Sequence, residues 1–216
     1  PAAGVCHPSP TRRSSDRGES GGEAAKFGLS TGELLGAIDE LKASGMIENL
    51  KMLHFHIGSQ ITEIRRIQNA VKEASRIYAE VKKLAPGLEY FNIGGGLGIT
   101  YENESPPSPT EYVKALLPLL ENKKLKLLIE PGRAIVGNAG ILLTSVTYLK
   151  TNAGKHFAIV DSAMNDLLRP ALYDAWQNII PVEKRPQGEL KNYDIVGPVC
   201  ETAVFLGKDR DLNIQQ

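Results

Sequence analysis

The feature that most constrains the fold of this 216-residue chain is an alternation of short apolar runs with amphipathic helices over residues 30–129. Buried strands are predicted at 52–57, 90–93 and 125–129. Ser30 and Glu33 form a capping-box pattern ahead of the first helix. The helical period at 64–84 keeps its apolar residues on one face. Strands joined by crossover helices pair in parallel, so the pattern predicts part of a (β/α) barrel or of a doubly wound sheet.

The pattern changes after Pro131. Stretches rich in β-branched and apolar residues follow at 141–149, 157–160, 179–182 and 193–199. Only residues 167–177 indicate a short helix, so the second half is predicted to be mostly β. We therefore expect an α/β domain at 25–137 and a β domain at 138–216.

The two ends of the chain differ from its middle. Residues 1–24 are crowded with Pro, Ser, Gly and Arg and have no apolar period, so we interpret them as a disordered or non-native leader. The chain stops at Gln216 with no helix or strand completed, and we expect it to be an internal fragment of a longer protein.

Charge and composition argue against several classes of function. The chain has 25 basic and 25 acidic residues without a long run of either sign, which disfavours nucleic acid or an anionic membrane as a partner. No apolar run reaches the ~18 residues that a membrane-spanning helix needs. The two cysteines lie far apart in the sequence, which disfavours a disulfide framework and favours a reducing cytoplasm.

A run of three glycines, Gly94, Gly95 and Gly96, follows a predicted strand. Without side chains in the way, their backbone N–H groups can converge on an anion such as a phosphate. The spacing fits neither the dinucleotide-binding fingerprint nor a P-loop: Ile99 stands where the fingerprint needs its third glycine, and no Gly-Lys-Ser/Thr follows. A tight packing turn is the alternative interpretation.

A second motif comes at the end of the next predicted strand and consists of Glu130, Pro131, Gly132 and Arg133. In a (β/α) barrel the active site lies at the C-terminal ends of the strands. An acid and an arginine at this place therefore favour a functional site, and a surface salt bridge is the alternative.

The third motif is LHFHIGSQ at residues 53–60. Alternation along a strand places His54 and His56 on the same face, with Ser59 beyond the strand end. No third ligand lies at a convincing spacing, so no metal site is predicted. One interpretation is a core histidine with a polar residue at the rim, and the other is a ring that stacks on a flat cofactor.

The β half holds further candidates. Arg169 and Tyr173 are four residues apart and share a face if their segment is helical, where they could bind a carboxylate together. Cys200, which Glu201 follows, is by itself more typical of a buried apolar residue than of a catalytic thiol. The spacing of these residues assigns no catalytic pair.

In this order, the segments HIGSQ, NIGGGLGI, EPGR, MNDLLRPALY and VGPVCET resemble the diaminopimelate decarboxylases, alanine-racemase-like, fold-type III enzymes that use pyridoxal 5′-phosphate. The likeness runs from about Lys26 to Leu212. GGG and EPGR are shared with ornithine and arginine decarboxylases, whereas RPALY together with VCET is more specific. The resemblance implies a partial (β/α)8 barrel followed by part of a C-terminal β domain.

The resemblance also implies a role for each motif. The cofactor-binding residues would be His56, Ser59, Gly94, Gly95, Gly96, Glu130, Pro131, Gly132 and Arg133. His56 would stack on the pyridine ring of the cofactor. Glu130 would keep the ring nitrogen protonated, so that the ring accepts electrons from the carbon that loses CO₂.

The substrate-binding residues implied by the resemblance are Arg133, Arg169, Tyr173 and Glu201. This array suits diaminopimelate, which carries an amine and a carboxylate at each end. In a homodimer with shared active sites, Cys200 and Glu201 would reach into the site of the partner subunit. Cys200 would then protonate the substrate carbon, which makes it a catalytic residue together with Glu130 and His56.

Two departures from the family pattern bear on activity. The lysine that binds the cofactor covalently is expected upstream of Lys26, so the fragment itself is expected to be inactive, and Val204 stands where relatives have an acidic residue. The expected function of the parent enzyme is decarboxylation of meso-2,6-diaminopimelate to L-lysine and CO₂ in lysine biosynthesis. The alternatives are a related decarboxylase of arginine or another basic amino acid, and a catalytically dead regulatory homologue.

Overall fold

The computed structural model of the chain describes residues 3–4, 27–121, 124–183 and 188–215. Apart from Ala3–Gly4, the segment interpreted as a leader lies outside the described residues. The chain divides into two compact units between Ala139 and Gly140, and the second unit also includes Tyr101–Asn103.

The first unit is a parallel sheet with helices between its strands, as the alternation predicts. Its strands lie in the order β1, β2, β3, β4 and are Ala3–Gly4, Met52–His54, Tyr90–Asn92 and Lys126–Leu128. Its helices are α1 Thr31–Ala43, α2 Ile64–Leu84, α3 Pro109–Leu120 and the short α4 Gly132–Val136, with a 3₁₀ turn at Ile47–Asn49. Because β2, β3 and β4 are parallel and in register, the segments that follow them lie at the same edge of the sheet.

The helix signals act as the sequence predicts. Glu33 N–H donates to Ser30 Oγ at 3.3 Å, and Ser30 N–H donates to Glu33 Oε2 at 2.7 Å, which completes the capping box of α1. The apolar face of α2 packs on the sheet, where the ring centroids of Tyr78 and Phe91 are 5.1 Å apart. Burial of each such side chain stabilises the fold by roughly 1.5–3 kcal/mol. Among the described helices none has both the length and the apolar character of a membrane span.

The second unit is mostly β, as predicted. Its sheet has the strand order β5, β6, β7, β8, which are Val146–Asn152, Lys155–Val160, Lys191–Val196 and Phe205–Leu212. Only β6 and β7 pair in parallel. The helix α5, Leu168–Tyr173, falls inside the predicted helical segment. An ion pair between Lys155 Nζ and the buried Asp194 Oδ2 links β6 to β7.

For the second unit one expectation was wrong and one strand was not predicted. Residues 179–182 form no strand, and the side chains of Ile180 and Val182 are 72% and 81% exposed. A β-favouring composition makes a strand only where a neighbouring strand accepts its hydrogen bonds. Conversely, β8 was not predicted because the charged residues of its Lys208–Asp211 stretch interrupt the alternation of apolar and polar residues that indicates a strand. Its pairing with β7 forms the strand.

Candidate cofactor-binding and active site

The glycine motif and the acid of the second motif lie against each other. Glu130 N–H donates to the carbonyl oxygen of Gly94 at 2.8 Å. A Cβ atom at Gly95 would lie only 2.2 Å from the carbonyl oxygen of Glu130. The two strand ends therefore meet through their backbones, and only a glycine at position 95 allows this approach.

The other two glycines contact the segment that follows β2. Gly94 has φ +69°, and a Cβ there would lie 2.6 Å from the Phe55 carbonyl oxygen. Gly96 has φ +107°, and a Cβ there would lie 2.7 Å from the Gly58 carbonyl oxygen. All three motifs thus converge at one edge of the first unit.

The backbone N–H groups of the glycine loop are not all available to an anion. Gly94 N–H donates to Asn92 Oδ1 at 2.9 Å, and Gly95 N–H donates to His56 Nδ1 at 3.2 Å. No described residue accepts a hydrogen bond from Gly96 N–H. Two of the three N–H groups predicted to bind a phosphate therefore already donate to side chains, and among the described residues the N–H of Gly96 is the one that remains available.

His56 is held as a neutral ring. Because its Nδ1 accepts from Gly95 N–H, its proton resides on Nε2. Burial lowers the pKa of His56 below its ordinary value of 6.5, the neighbouring His54 lowers it further, and Glu130 opposes the shift. A neutral imidazole can pack against a protonated pyridine ring without repulsion between like charges.

The lowered pKa of His56 predicts how stability depends on pH. The unfolded chain binds a proton at His56 near pH 6.5, whereas the folded chain does so only at lower pH. The contribution of the neutral His56 ring to the free energy of unfolding is therefore complete above pH 6.5 and is lost as the pH falls below it. We expect His56→Gln to lose less stability than the unchanged protein between pH 7.5 and 5. Hydrogen exchange of the β3 amides measures the difference, and an equal loss in both proteins would contradict it.

Among the described residues, hydrogen bonds hold the Glu130 carboxylate at one oxygen. Asn92 Nδ2 donates to Glu130 Oε1 at 2.7 Å, and His54 Nδ1 lies 3.8 Å from the same oxygen. No described residue donates to Oε2, and the side chain is 55% exposed. Asn92 was not predicted as a site residue, although a polar residue at the end of a buried strand indicates one.

Gln60, which was also not predicted as a site residue, forms hydrogen bonds with Ile99 and Arg133. Its amide exchanges two hydrogen bonds with the backbone of Ile99, at 2.6 and 3.1 Å. Arg133 Nη1 donates to Gln60 Oε1 at 3.5 Å. Ser59, beside Gln60, is exposed, and a Cβ added at Gly132 would meet nothing within 4 Å. This end of the site is open. The roles in phosphate binding predicted for Ser59, Gly132 and Arg133 stay predictions.

An apolar cavity of about 100 Å³ adjoins the glycine loop. Gly94, Gly95 and Pro131 contribute to its lining together with Tyr112 of α3 and Ile135 of α4. Cofactor pockets usually measure roughly 300–1,000 Å³ and contain a few convergent polar groups. The cavity is smaller than that and its lining carries no charged side chain, so we do not assign the cofactor to it.

In the second unit, Arg169 and Tyr173 share a face of α5, and the guanidinium carbon lies 4.9 Å from the centre of the tyrosine ring. Cys200 is a free, exposed thiol. Glu201 is exposed, and its Oε1 accepts from Ala203 N–H at 3.2 Å. Val204, which replaces the acidic residue expected from the family pattern, is 3% exposed, so an apolar residue suits this position in the chain.

Comparison with known proteins defines the class. The family model described as "pyridoxal-dependent decarboxylase, pyridoxal binding domain" matches residues 8–137, and this match starts within the segment interpreted as a leader. The chain belongs to the family of pyridoxal-dependent decarboxylases.

The chain is similar to diaminopimelate decarboxylases. That of Vibrio cholerae serotype O1 is 52% identical over 162 residues, which are 74% of this chain and 39% of the relative. That of Haemophilus influenzae is 44% identical over 194 residues, 88% of this chain and 46% of the relative. The crystal structure of Helicobacter pylori diaminopimelate decarboxylase complexed with L-lysine matches with a TM-score of 0.83 and 35% identity, covering 94% of this chain and 50% of that chain. The chain thus spans half or less of the length of these relatives.

The residues of the first unit fit pyridoxal phosphate, the cofactor of this family. Glu130 offers an exposed carboxylate with Oε2 open for a ring N–H. His56 offers a neutral, half-buried ring beside it. Gly96 N–H and the guanidinium of Arg133 are donors suited to a phosphate.

Proposed function

We propose that the complete protein uses pyridoxal phosphate to decarboxylate meso-2,6-diaminopimelate to L-lysine and CO₂ in lysine biosynthesis. The observation that carries the proposal is the hydrogen bond from Glu130 N–H to Gly94, because it sets an acid beside a side-chain-free loop. The substrate follows from the similarity to diaminopimelate decarboxylases at 44–52% identity.

The chemistry assigns a task to each residue of the first unit. When bound, pyridoxal phosphate supplies a protonated ring that withdraws the electron pair left at the substrate carbon after CO₂ departs. Glu130 holds the proton at the ring nitrogen, because an anion beside a poorly hydrated cation stabilises it. His56 covers the ring face and excludes water. Gly96, Arg133 and Ser59 hold the phosphate, together with the backbone around Pro131 and Gly132.

For the substrate we propose Arg133 in the first unit and Arg169, Tyr173 and Glu201 in the second. The stacking of Arg169 on Tyr173 supports this, because the ring holds the guanidinium in one orientation for a carboxylate. We propose that the protein is a homodimer in which Cys200 and Glu201 act in the partner's site. The exposure of Cys200 as a free thiol supports its role as a proton donor and a reducing, cytoplasmic location.

The parallel sheet of the first unit supports a further proposal about architecture. In the complete protein, residues 25–137 form the later part of a (β/α)8 barrel, and residues 138–216 form part of the C-terminal β domain.

The complete protein is expected to release CO₂ from meso-diaminopimelate at least about 100-fold more efficiently than from arginine or ornithine. The reason is that charged groups of the site stay unpaired when the substrate lacks the second carboxylate. Measuring kcat/KM for the three substrates tests this. A preference for arginine would contradict the assignment. A cofactor-loaded protein that acts on none of them would indicate a catalytically dead homologue.

Mixing two inactive variants tests whether sites are shared between subunits. Arg169→Ala and Cys200→Ala are each expected to be inactive, whereas an equimolar mixture that is allowed to exchange subunits should regain about a quarter of the original activity. Half of the random dimers are mixed, and one of the two sites in each mixed dimer is complete. Each variant exchanged with itself is the control, and a mixture that stays inactive would rule out shared sites.

A further inference from the structure

We propose that Asn92 is a positioning residue that sets the orientation of the Glu130 carboxylate toward the cofactor ring. The inference rests on the proposed function, since it requires the ring nitrogen to lie at Glu130. Asn92 is the last residue of β3 and is 5% exposed. A buried amide side chain needs hydrogen-bond partners, and the partners of this one are the two motifs of the site.

The two ends of the Asn92 amide are distinguishable by their partners. Its oxygen accepts from Gly94 N–H at 2.9 Å, so its nitrogen must point the other way. That nitrogen donates to Glu130 Oε1 at 2.7 Å. The backbone of Glu130 is itself fixed to the Gly94 carbonyl. One amide therefore links the glycine loop to the carboxylate, and neither bond can be kept if the amide turns over.

Among the described residues around Glu130, Asn92 is the one that can orient its carboxylate through a hydrogen bond. His54 pairs in register with Asn92 across β2 and β3, but its Nδ1 is 3.8 Å from Oε1, which is too long for a hydrogen bond. That ring nitrogen is buried and makes no hydrogen bond within the described residues. His56 donates nothing to Glu130 and is held by Gly95. Within the described chain, Asn92 supplies the one hydrogen bond that the carboxylate receives.

The consequence concerns the free oxygen of the carboxylate. A glutamate that is 55% exposed can turn about several side-chain bonds, and ordering it costs conformational entropy. With Oε1 fixed by Asn92, Oε2 keeps one direction and can accept the ring N–H without further ordering. Asn92 thereby raises the proton affinity of the ring nitrogen without touching the cofactor.

The test uses the complete protein loaded with cofactor that carries ¹⁵N at the ring nitrogen, whose NMR shift reports its protonation. Asn92→Ala is expected to lower the pKa of the ring nitrogen by about one unit, the equivalent of one charge-assisted hydrogen bond. Glu130→Ala should lower it further, and adding Asn92→Ala to that variant should change nothing more. Ser75→Ala, which removes an equally buried polar group from α2, is the control and should have no effect.

Asn92→Leu, which keeps the branching at Cγ without a hydrogen-bonding group, replaces Asn92→Ala if the smaller side chain unfolds the unit. The inference is wrong if the Asn92 variant leaves the ring nitrogen unchanged while Glu130→Ala shifts it. It is also wrong if the Asn92 effect persists in the Glu130→Ala background, because Asn92 would then act by another route. If Glu130→Ala itself has no effect, the proposed role of Glu130 fails, and the two failures are thus separable.

Discussion

Glu130→Gln in the complete protein is expected to lower turnover of diaminopimelate about 10²–10³-fold, the usual cost of removing one preorganised electrostatic group. The amide has nearly the shape of the carboxylate and its oxygen can still accept from Asn92 Nδ2. Its other end is then an NH₂ group, which donates and cannot accept a hydrogen bond from the ring N–H. The loss should therefore fall on kcat, while the protein stays folded and binds the cofactor.

Steady-state CO₂ release measures the effect, and Glu121→Gln provides the matched control. Glu121 lies just after α3 and is exposed, so the same chemical change there should leave turnover within twofold, as surface changes usually do. A Glu130→Gln variant that retained most of its turnover would show that the carboxylate has no part in holding the ring proton, and the proposed chemistry would fail.

Gly95→Ala is expected to destabilise the first unit by about 3 kcal/mol and to abolish cofactor binding. The added Cβ would lie 2.2 Å from the Glu130 carbonyl oxygen, which is a backbone atom that cannot rotate away. Either the glycine loop or the end of β4 must move. Both movements break the hydrogen bond between Glu130 and Gly94 that brings the two motifs together.

Gly36→Ala is the matched control for this change. Gly36 is exposed in the middle of α1, and a Cβ there would meet nothing within 4 Å. Because alanine favours a helix over glycine, this variant should be more stable by about 0.5–1 kcal/mol. Urea unfolding followed by far-ultraviolet circular dichroism compares both with the unchanged protein. Equal effects of the two substitutions would refute the clash at Gly95.

Much of the first unit was predictable because its signals are local. The capping box of Ser30 and Glu33 fixes the start of α1, and the apolar period fixes α2 from Ile64 to Leu84. The strands β2, β3 and β4 lie within the predicted apolar runs, whereas β1 lies in the segment interpreted as a leader. In the second unit, the sequence did not predict β8 and wrongly indicated a strand at 179–182. Pairing with another strand decides whether such a segment is a strand, and a short stretch of sequence carries little information about that pairing.

The sequence by itself determined the alternation of β2, β3 and β4 with helices in the first unit and placed the three motifs of that unit at the ends of strands. It could do so because helical and strand periods depend on neighbours a few residues away. Only the tertiary structure decided that Asn92 holds Glu130, 38 residues along the chain, and that Gln60 pairs with Ile99. Those contacts depend on the register between parallel strands, and the register is fixed by packing of the whole unit rather than by any segment.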